Sequence, residues 1–448
     1  MQATTALDVG RLIDERPYGA YQLLVAVMCG AIVFMDGFDA QSMGFVAPAL
    51  AADLGIARSA LGPLFSSGLL GMTLGALAFG WLADRVGRKP VLIACTLIFG
   101  VGSLLCAWAG SYDTLLVFRT LTGLGLGGAM PNTIALTAEY TPKRIRATTV
   151  MIMFCGVTLG AAAGGFASAA LIEHFGWRSI FVLGGALPCA AALLAAFVLP
   201  ESLRFLVLRQ APAQRIARIV RKVAPAAATA TAFTLGEAPA QASSVRELFA
   251  EHRAVITLLV WLIFFMSLLD LYFLNNWLPT IMTQTGISLE TAAIVTALFQ
   301  LGGTVGALTL GRRMDRNGSF NVLAFAYGAA CLAVLAIGSA GALAALAVTI
   351  FVAGFCVIGG QAGSNALASD FYPTAIRSTG VGWALGVGRI GSILGPFVGG
   401  WLLATAVDFR HVFWAAAVPP FLACCAALGA AAILRRREQR TAPVLSME

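Results

Sequence analysis

Five ionisable side chains stand inside otherwise apolar runs of this 448-residue chain: Asp36 and Asp39 in "FMDGFDAQ", Arg119 heading "RTLTGLGLGGAMPN", Asp270 in "SLLDLYF" and Arg389 in "GVGRIGSILGP". A charge inside a membrane-spanning helix costs at least ~2.5–3.5 kcal/mol on insertion scales and by default marks a substrate or ion pathway. Structural pairing is the plainer alternative for any one of them. At 1.5 Å per residue, Asp39 lies about 13 Å and Arg119 about 9 Å below the outer ends of their helices, close enough in depth for a carboxylate–guanidinium pair. Arg389 lies about 18 Å from the inner end of its own helix, near the midplane. An arginine there wants an anion.

Helical spacing groups these residues with others. Asp36, Asp39, Ala40 and Met43 share one face, as do Arg119, Thr122, Gly123 and Leu126, and Asp270, Phe273, Leu274 and Trp277. Gln361, Ser364 and Asn365 form a polar stripe that either meets substrate or hydrogen-bonds neighbouring helices. Phe38, Tyr272, Phe299 and Trp383 are candidates for stacking on a ring, with core or lipid-facing packing as the alternative.

The elements that must position these residues are transmembrane helices. The chain is 59% hydrophobic and 11% charged with mean hydropathy +0.86, against about 25% charged residues in a soluble domain. Apolar runs of spanning length recur twelve times: 21–48, 58–82, 90–110, 113–138, 148–172, 177–199, 254–279, 290–312, 320–339, 342–368, 378–405 and 411–434. Barrel strands would be short alternating segments, so the expected fold is all-α with twelve transmembrane helices. The N-terminal stretch lacks a cleavable signal pattern. Net charge is +8, but the basic residues cluster in alternate short loops: Arg85, Arg88 and Lys89; Lys143, Arg144 and Arg146; Arg312, Arg313 and Arg316; Arg435 to Arg437. That pattern reports topology, with both termini cytoplasmic, and not nucleic-acid binding. The nine cysteines show no CxxC spacing, and His174, His252 and His411 stand near helix ends without nucleophile or ligand partners, so neither metal, cofactor nor enzyme chemistry is expected.

A repeat organises the chain. Moving 231 positions carries Gly71 to Gly302, Gly75 to Gly306, Asp84 to Asp315, Arg85 to Arg316, Gly123 to Gly354, Pro142 to Pro373, Arg146 to Arg377 and Gly160 to Gly391. Two pseudo-symmetric six-helix bundles, 21–199 and 254–434, follow, with residues 1–20 and 435–448 as tails and 200–253 as a cytoplasmic linker. The linker opens as an Arg-rich interfacial helix and continues as a low-complexity tether. Asp39 maps onto Asp270, whereas Asp36, Arg119 and Arg389 map onto Ser267, Ile350 and Thr158. The unmatched charges are therefore the stronger functional candidates.

The motif "GWLADRVGRK" and its weaker copy "GRRMDRNGS" resemble the loop between helices 2 and 3 of the major facilitator superfamily. On that resemblance Asp84, Arg85 and Arg88, with Asp315 and Arg316, are gating residues. Asp84 would pair with an arginine of a neighbouring helix or accept backbone N–H bonds. Glu139 with Arg146 and Asp370 with Arg377, bracketing "EYTPKRIR" and "DFYPTAIR", would close the same gate. The D-G-F-D spacing, the Arg before the helix-4 glycine run and the Arg of helix 11 resemble the aromatic acid:proton symporters, specifically carriers of 4-hydroxybenzoate type. This resemblance implies proton-coupled uptake of a small aromatic carboxylate by a monomer in the inner membrane. Asp36, Asp39 and Asp270 would carry the proton, with Arg389 and Arg119 binding the carboxylate or Arg119 holding Asp39. Three carboxylates face two guanidiniums, so an anionic substrate calls for a proton. The scheme needs the first-helix acids to be wet and exchangeable. Drug:proton antiport on the same fold is the rival. Its usual G-x-x-x-G-P-x-x-G-G motif is absent from helix 5, which reads "GVTLGAAAGG", and appears in helix 11 as "GSILGPFVGG". A membrane sensor is expected to append a soluble signalling module, and neither the 54-residue central stretch nor the tail "RRREQRTAPVLSME" is large enough to be one.

Overall fold

The structure is a computed structural model and describes residues 7–224, 232–235, 245–250, 253–339, 341–373, 376–405 and 409–441. Most of the low-complexity tether, His252, the last seven residues and the Asp315 side chain lie outside the described residues. A short helix, α1 (Val9–Glu15), precedes the long ones: α2 (Ala20–Leu54), α3 (Arg58–Val86), α4 (Arg88–Ala107), α5 (Tyr112–Tyr140), α6 (Lys143–Phe175) and α7 (Arg178–Val198). The connecting stretch holds α8 (Leu203–Leu208) and the amphipathic α9 (Ala213–Val223). The second half comprises α10 (Ala254–Gln284), α11 (Leu289–Asn317), α12 (Ser319–Ile337), α13 (Leu343–Phe371), α14 (Arg377–Ala404), α15 (Phe409–Ala416) and α16 (Val418–Thr441).

Eleven spans among the described residues are long and apolar enough to cross a membrane, with α15 and α16 counted as one. The twelfth expected span, α5, has 29 residues, ample length, but its Gly, Thr and Asn residues and Arg119 dilute its hydropathy. That composition suits a helix enclosed by its neighbours, which needs little apolar surface for lipid.

The 231-residue offset recurs in three dimensions. Shifting α3 by it gives the bounds of α11, and shifting α5 gives those of α13. Glycines in the two halves make equivalent contacts, each with no room for a Cβ. Gly71 lies on the Thr120 carbonyl and Gly302 on that of Phe351; Gly123 lies on the Gly68 carbonyl and Gly354 on that of Phe299. Such close backbone approach is what holds helices together where lipid removes the hydrophobic driving force. Chain reversals also repeat: Gly55 and Gly286 have φ 62° and 87°, and Gly87 and Gly318 have φ 112° and 81°.

The chain forms two compact units. The first comprises Met1–Ser42, Ser67–Gly164 and Phe175–Pro239, and the second Met43–Ser66, Gly165–His174 and Ala240–Glu448. Within the second unit the segment Met43–Ser66 packs on the later helices. Ser66 Oγ donates to the Ile393 carbonyl at 2.8 Å, and the Phe65 ring meets Trp277 edge-on at 5.1 Å.

The first unit has an unforeseen feature. Leu7–Asp8 pairs in parallel with Phe233–Thr234, and α1 buries Val9 and Ile13. Asp14 on α1 accepts the Lys143 backbone N–H at 2.9 Å and ion-pairs with Lys143 and Arg146 at 3.5 and 3.6 Å. The amino-terminal segment thus caps the start of α6.

Candidate functional site

In the first unit, α2 and α5 bring Asp39 and Arg119 together as the depth estimate expects. Arg119 Nη1 lies 3.3 Å from Asp39 Oδ2, and Ser103 of α4 donates to Asp39 Oδ1 at 2.6 Å. The pair is enclosed: Asp39 is 0% and Arg119 5% exposed, and the guanidinium carbon lies 5.8 Å from the Phe181 ring centre. Two glycines lie alongside the pair. A Cβ at Gly184 would meet Asp39 Oδ1 at 3.4 Å, and one at Gly68 would lie 3.7 Å from Arg119 Nη2. Arg119 Nε has no hydrogen-bond partner among the described residues, so the guanidinium keeps donor capacity.

Asp36 is buried as well, at 2% exposure. The expectation of wet first-helix carboxylates is therefore corrected for this conformation. Helix α6 closes on this stretch of α2, with Gly37 against the Val157 backbone and Gly160 against the Phe34 backbone. Phe38, 6% exposed, packs in the same wall.

The loop from α3 to α4 also differs from expectation. Asp84 is exposed and enters no ion pair among the described residues, while Arg85 lies over the Trp81 ring at 3.7 Å. The backbone N–H bonds at the start of α4 go instead to Glu201, which the sequence reading missed. Its Oε1 accepts from Arg88 N at 2.9 Å, Lys89 N at 3.2 Å and Ser202 N at 2.8 Å. A carboxylate at a helix amino terminus is favoured by the exposed N–H groups and the helix dipole. Gly87 makes room for it, because a Cβ there would collide with the Glu201 carboxylate.

Glu139 pairs with Arg88 at 2.8 Å and accepts the Ser202 hydroxyl, so it does not pair with Arg146. Arg146 Nε instead donates to the Thr141 carbonyl at 3.3 Å, and Arg377 Nε to the Tyr372 carbonyl at 3.3 Å, the same bond at repeat-related positions. In both halves this arginine pins its own turn. Arg209 links the connector to the loop by donating to the carbonyls of Asp84 and Arg85 at 3.3 and 3.2 Å.

In the second unit, Asp370 is exposed and lines a cavity of about 400 Å³ with Asn321 and Arg435, which hydrogen-bond to each other at 2.9 Å. Arg316 is exposed. Asp270 is 1% exposed, and neither of its carboxylate oxygens has a hydrogen-bond partner among the described residues. One turn away on α10, Ser267 accepts from Tyr327 Oη of α12 at 2.9 Å, and Tyr327 also meets Ser364 of α13 at 2.8 Å. Gln361, one turn from Ser364, is 8% exposed and its Oε1 has no hydrogen-bond partner among the described residues. Asn365, the third member of the expected polar stripe, is exposed.

Trp277 is 0% exposed, donates through Nε1 to the Pro396 carbonyl at 2.9 Å and packs on Phe65. Phe299, also 0% exposed, supports the Gly354 contact. Both rings are committed to packing in this conformation and are not open for stacking on a substrate. Trp383, 45% exposed, stacks on Trp261 at 5.8 Å. Tyr272 and Arg389 are partly buried, and the Arg389 carbonyl accepts from Ser392 at 2.7 Å.

The Major Facilitator Superfamily sequence model matches residues 29–256 and 260–447. The chain belongs to the major facilitator superfamily. It is a transporter and not an enzyme, and a multi-pass protein of the inner membrane. Among its relatives, a gallate transporter of Pseudomonas putida is 45% identical over 419 residues, 93% of each protein. The 4-hydroxybenzoate transporter PcaK of Pseudomonas aeruginosa is 45% identical over 427 residues, covering 94% of this chain and 95% of PcaK. Among solved structures, a bacterial homologue of the human lysosomal transporter Spinster matches with TM-score 0.72 at 18% identity, over 92% of this chain and 98% of that one. The xylose transporter XylE of Escherichia coli, in its inward open conformation, matches with TM-score 0.70 at 18% identity, over 91% and 95%. At these identities the structural likeness speaks for the fold alone.

Proposed function

We propose that this transporter takes up a small aromatic carboxylate together with a proton, by alternating access, with both termini in the cytoplasm and one chain sufficient. The observation that carries the reading is the enclosed Asp39–Arg119 pair, a titratable acid held against a permanent cation inside the bundle, in a chain 45% identical to carriers named for gallate and 4-hydroxybenzoate. Arg389 takes the substrate carboxylate, since a guanidinium presents a fork of donors to it. Arg119 holds Asp39, and Asp36 and Asp39 carry the proton.

With both acids buried here, the proposed proton exchange takes place in another of the carrier's alternating conformations. A wet acid in every state would leak protons without substrate. The proton is the coupling ion, and no cofactor enters the scheme. In cells or vesicles carrying the protein, adding 4-hydroxybenzoate should make the outside more alkaline as acid and proton enter together. Acidification of the outside would instead identify an exporter working by antiport and would overturn the symport reading.

A further inference from the structure

Asp39 and Asp270 occupy the same place in the two halves, yet their surroundings differ in a way that separates their roles. Asp39 is held by Ser103 and Arg119. At the repeat-related positions stand Val334 and Ile350, both 0% exposed. The duplicated scaffold keeps the acid and replaces its hydroxyl donor and its counter-ion by apolar side chains. Asp270 has neither a hydrogen-bond partner nor an ion-pair partner among the described residues.

A second bare acceptor lies at the same level. Ser267, Tyr327 and Ser364 bridge α10, α12 and α13 by two hydrogen bonds. Asp270 follows Ser267 by three residues, and Gln361 precedes Ser364 by three. Consecutive spans alternate in direction, so α10 and α13 run antiparallel, and both steps lead to the same side of the bridge, by about 4.5 Å. Tyr327 donates to Ser267, one turn from Asp270 on the same helix, and so anchors the bridge next to that acid. Asp270 Oδ1 and Oδ2 and Gln361 Oε1 are thus three buried oxygens without hydrogen-bond partners among the described residues, on one side of hydroxyls already bonded to one another. Buried acceptors are normally satisfied, and leaving one bare is far more costly than forming its bond. What this cluster lacks is donors.

Resting on the reading of the protein as an aromatic-acid carrier, we propose that Asp270 and Gln361 form a subsite that reads the ring hydroxyls of the substrate. They would accept phenolic O–H bonds and so select hydroxylated aromatic acids over unsubstituted benzoate. This gives Asp270 a specificity role in place of the proton role suggested by its likeness to Asp39. A site built to bond a substrate hydroxyl discriminates strongly against an analogue lacking it, because the site's own buried polar groups are then stranded.

The test uses purified full-length protein, with binding followed by thermal stabilisation and transport by uptake into proteoliposomes. The ligands are benzoate, 4-hydroxybenzoate, 3,4-dihydroxybenzoate and 3,4,5-trihydroxybenzoate. The wild type should bind the hydroxylated acids more tightly than benzoate. Asp270→Leu should weaken hydroxylated acids by about 10-fold, the worth of one hydrogen bond, while leaving benzoate unchanged or improved. Gln361→Leu should act in the same direction and more mildly. Asp270→Asn, which keeps an acceptor and the side-chain shape, should retain part of the preference and full protonophore sensitivity.

A preference that does not move in Asp270→Leu would overturn the proposal. So would an equal loss for all four acids, or loss of protonophore sensitivity in Asp270→Asn, which would return Asp270 to proton coupling. If no aromatic acid binds the wild type, the carrier reading falls and the subsite with it, whereas equal binding of all four acids removes the subsite alone.

Discussion

Replacing Arg119 by methionine tests the buried pair on which the first unit is built. The substitution keeps length and apolar bulk but removes the cation 3.3 Å from Asp39, leaving that carboxylate, 0% exposed, with Ser103 as its remaining donor at 2.6 Å. Breaking a buried pair from one side strands a charge and costs about 3–5 kcal/mol. Replacing both members by apolar residues of similar size is close to neutral, because the desolvation of both charges disappears with their attraction. Arg119→Met should therefore lose about 3–5 kcal/mol in equilibrium unfolding from mixed micelles, and Asp39→Leu/Arg119→Met should recover most of it. The double-mutant cycle isolates the coupling from other effects of each change. A coupling below about 1 kcal/mol, the range of solvent-exposed pairs, would refute the claim that this bridge is enclosed and mutually dependent.

Three further outcomes follow from the same geometry. Gly87→Ala and Gly318→Ala both force an alanine into positive φ, at a cost on the order of 1–3 kcal/mol, but only at Gly87 does the Cβ meet the Glu201 carboxylate; the nearest atom at Gly318 is Asn321 Nδ2 at 3.6 Å. Thermal unfolding should rank Gly87→Ala as the more damaging, and equal losses would remove Glu201 as the cap of α4. Trp277→Phe deletes the bond to the Pro396 carbonyl while keeping an aromatic ring against Phe65, so it should cost about 0.5–1.5 kcal/mol plus a cavity increment; an unchanged unfolding midpoint would contradict a packing role for this tryptophan. Asp14→Asn loses two ion pairs at 3.5 and 3.6 Å whose lysine and arginine are 60% and 37% exposed, and should change stability by less than about 1 kcal/mol, shrinking further in high salt.

Much of the scaffold was legible because it obeys rules that act along one dimension. Apolar runs of spanning length mark the helices, and a single offset of 231 residues anticipates both helix bounds and the glycine–carbonyl contacts. Depth counting along α2 and α5 anticipated the Asp39–Arg119 pair. Contacts formed by short segments against distant helices were not legible. Glu201 follows α7 as an ordinary linker acid, and only the fold shows that it caps α4; its one signal was an acid in a basic loop region. Tyr327 sits among alanines as one more aromatic residue, and nothing local says that its hydroxyl ties three helices. The expected Glu139–Arg146 pairing is replaced by Glu139 with Arg88 and Arg146 with Asp14, and Arg146 and Arg377 each donate to the carbonyl five residues before them. Trp277 shares a helical face with Asp270 and Phe299 is a candidate stacking ring, but sequence alone cannot tell a lining ring from a packed one. Wetness of Asp36 and Asp39 was likewise beyond the sequence, since it depends on which helices close over them.

Accumulation of radiolabelled 4-hydroxybenzoate against its gradient, with and without a protonophore, bears most directly on coupled uptake. The account predicts concentrative uptake in the wild type that collapses when the proton gradient is dissipated, and an Asp39→Asn protein that no longer concentrates the acid. Wild-type accumulation indifferent to the protonophore, or full accumulation by Asp39→Asn, would contradict it.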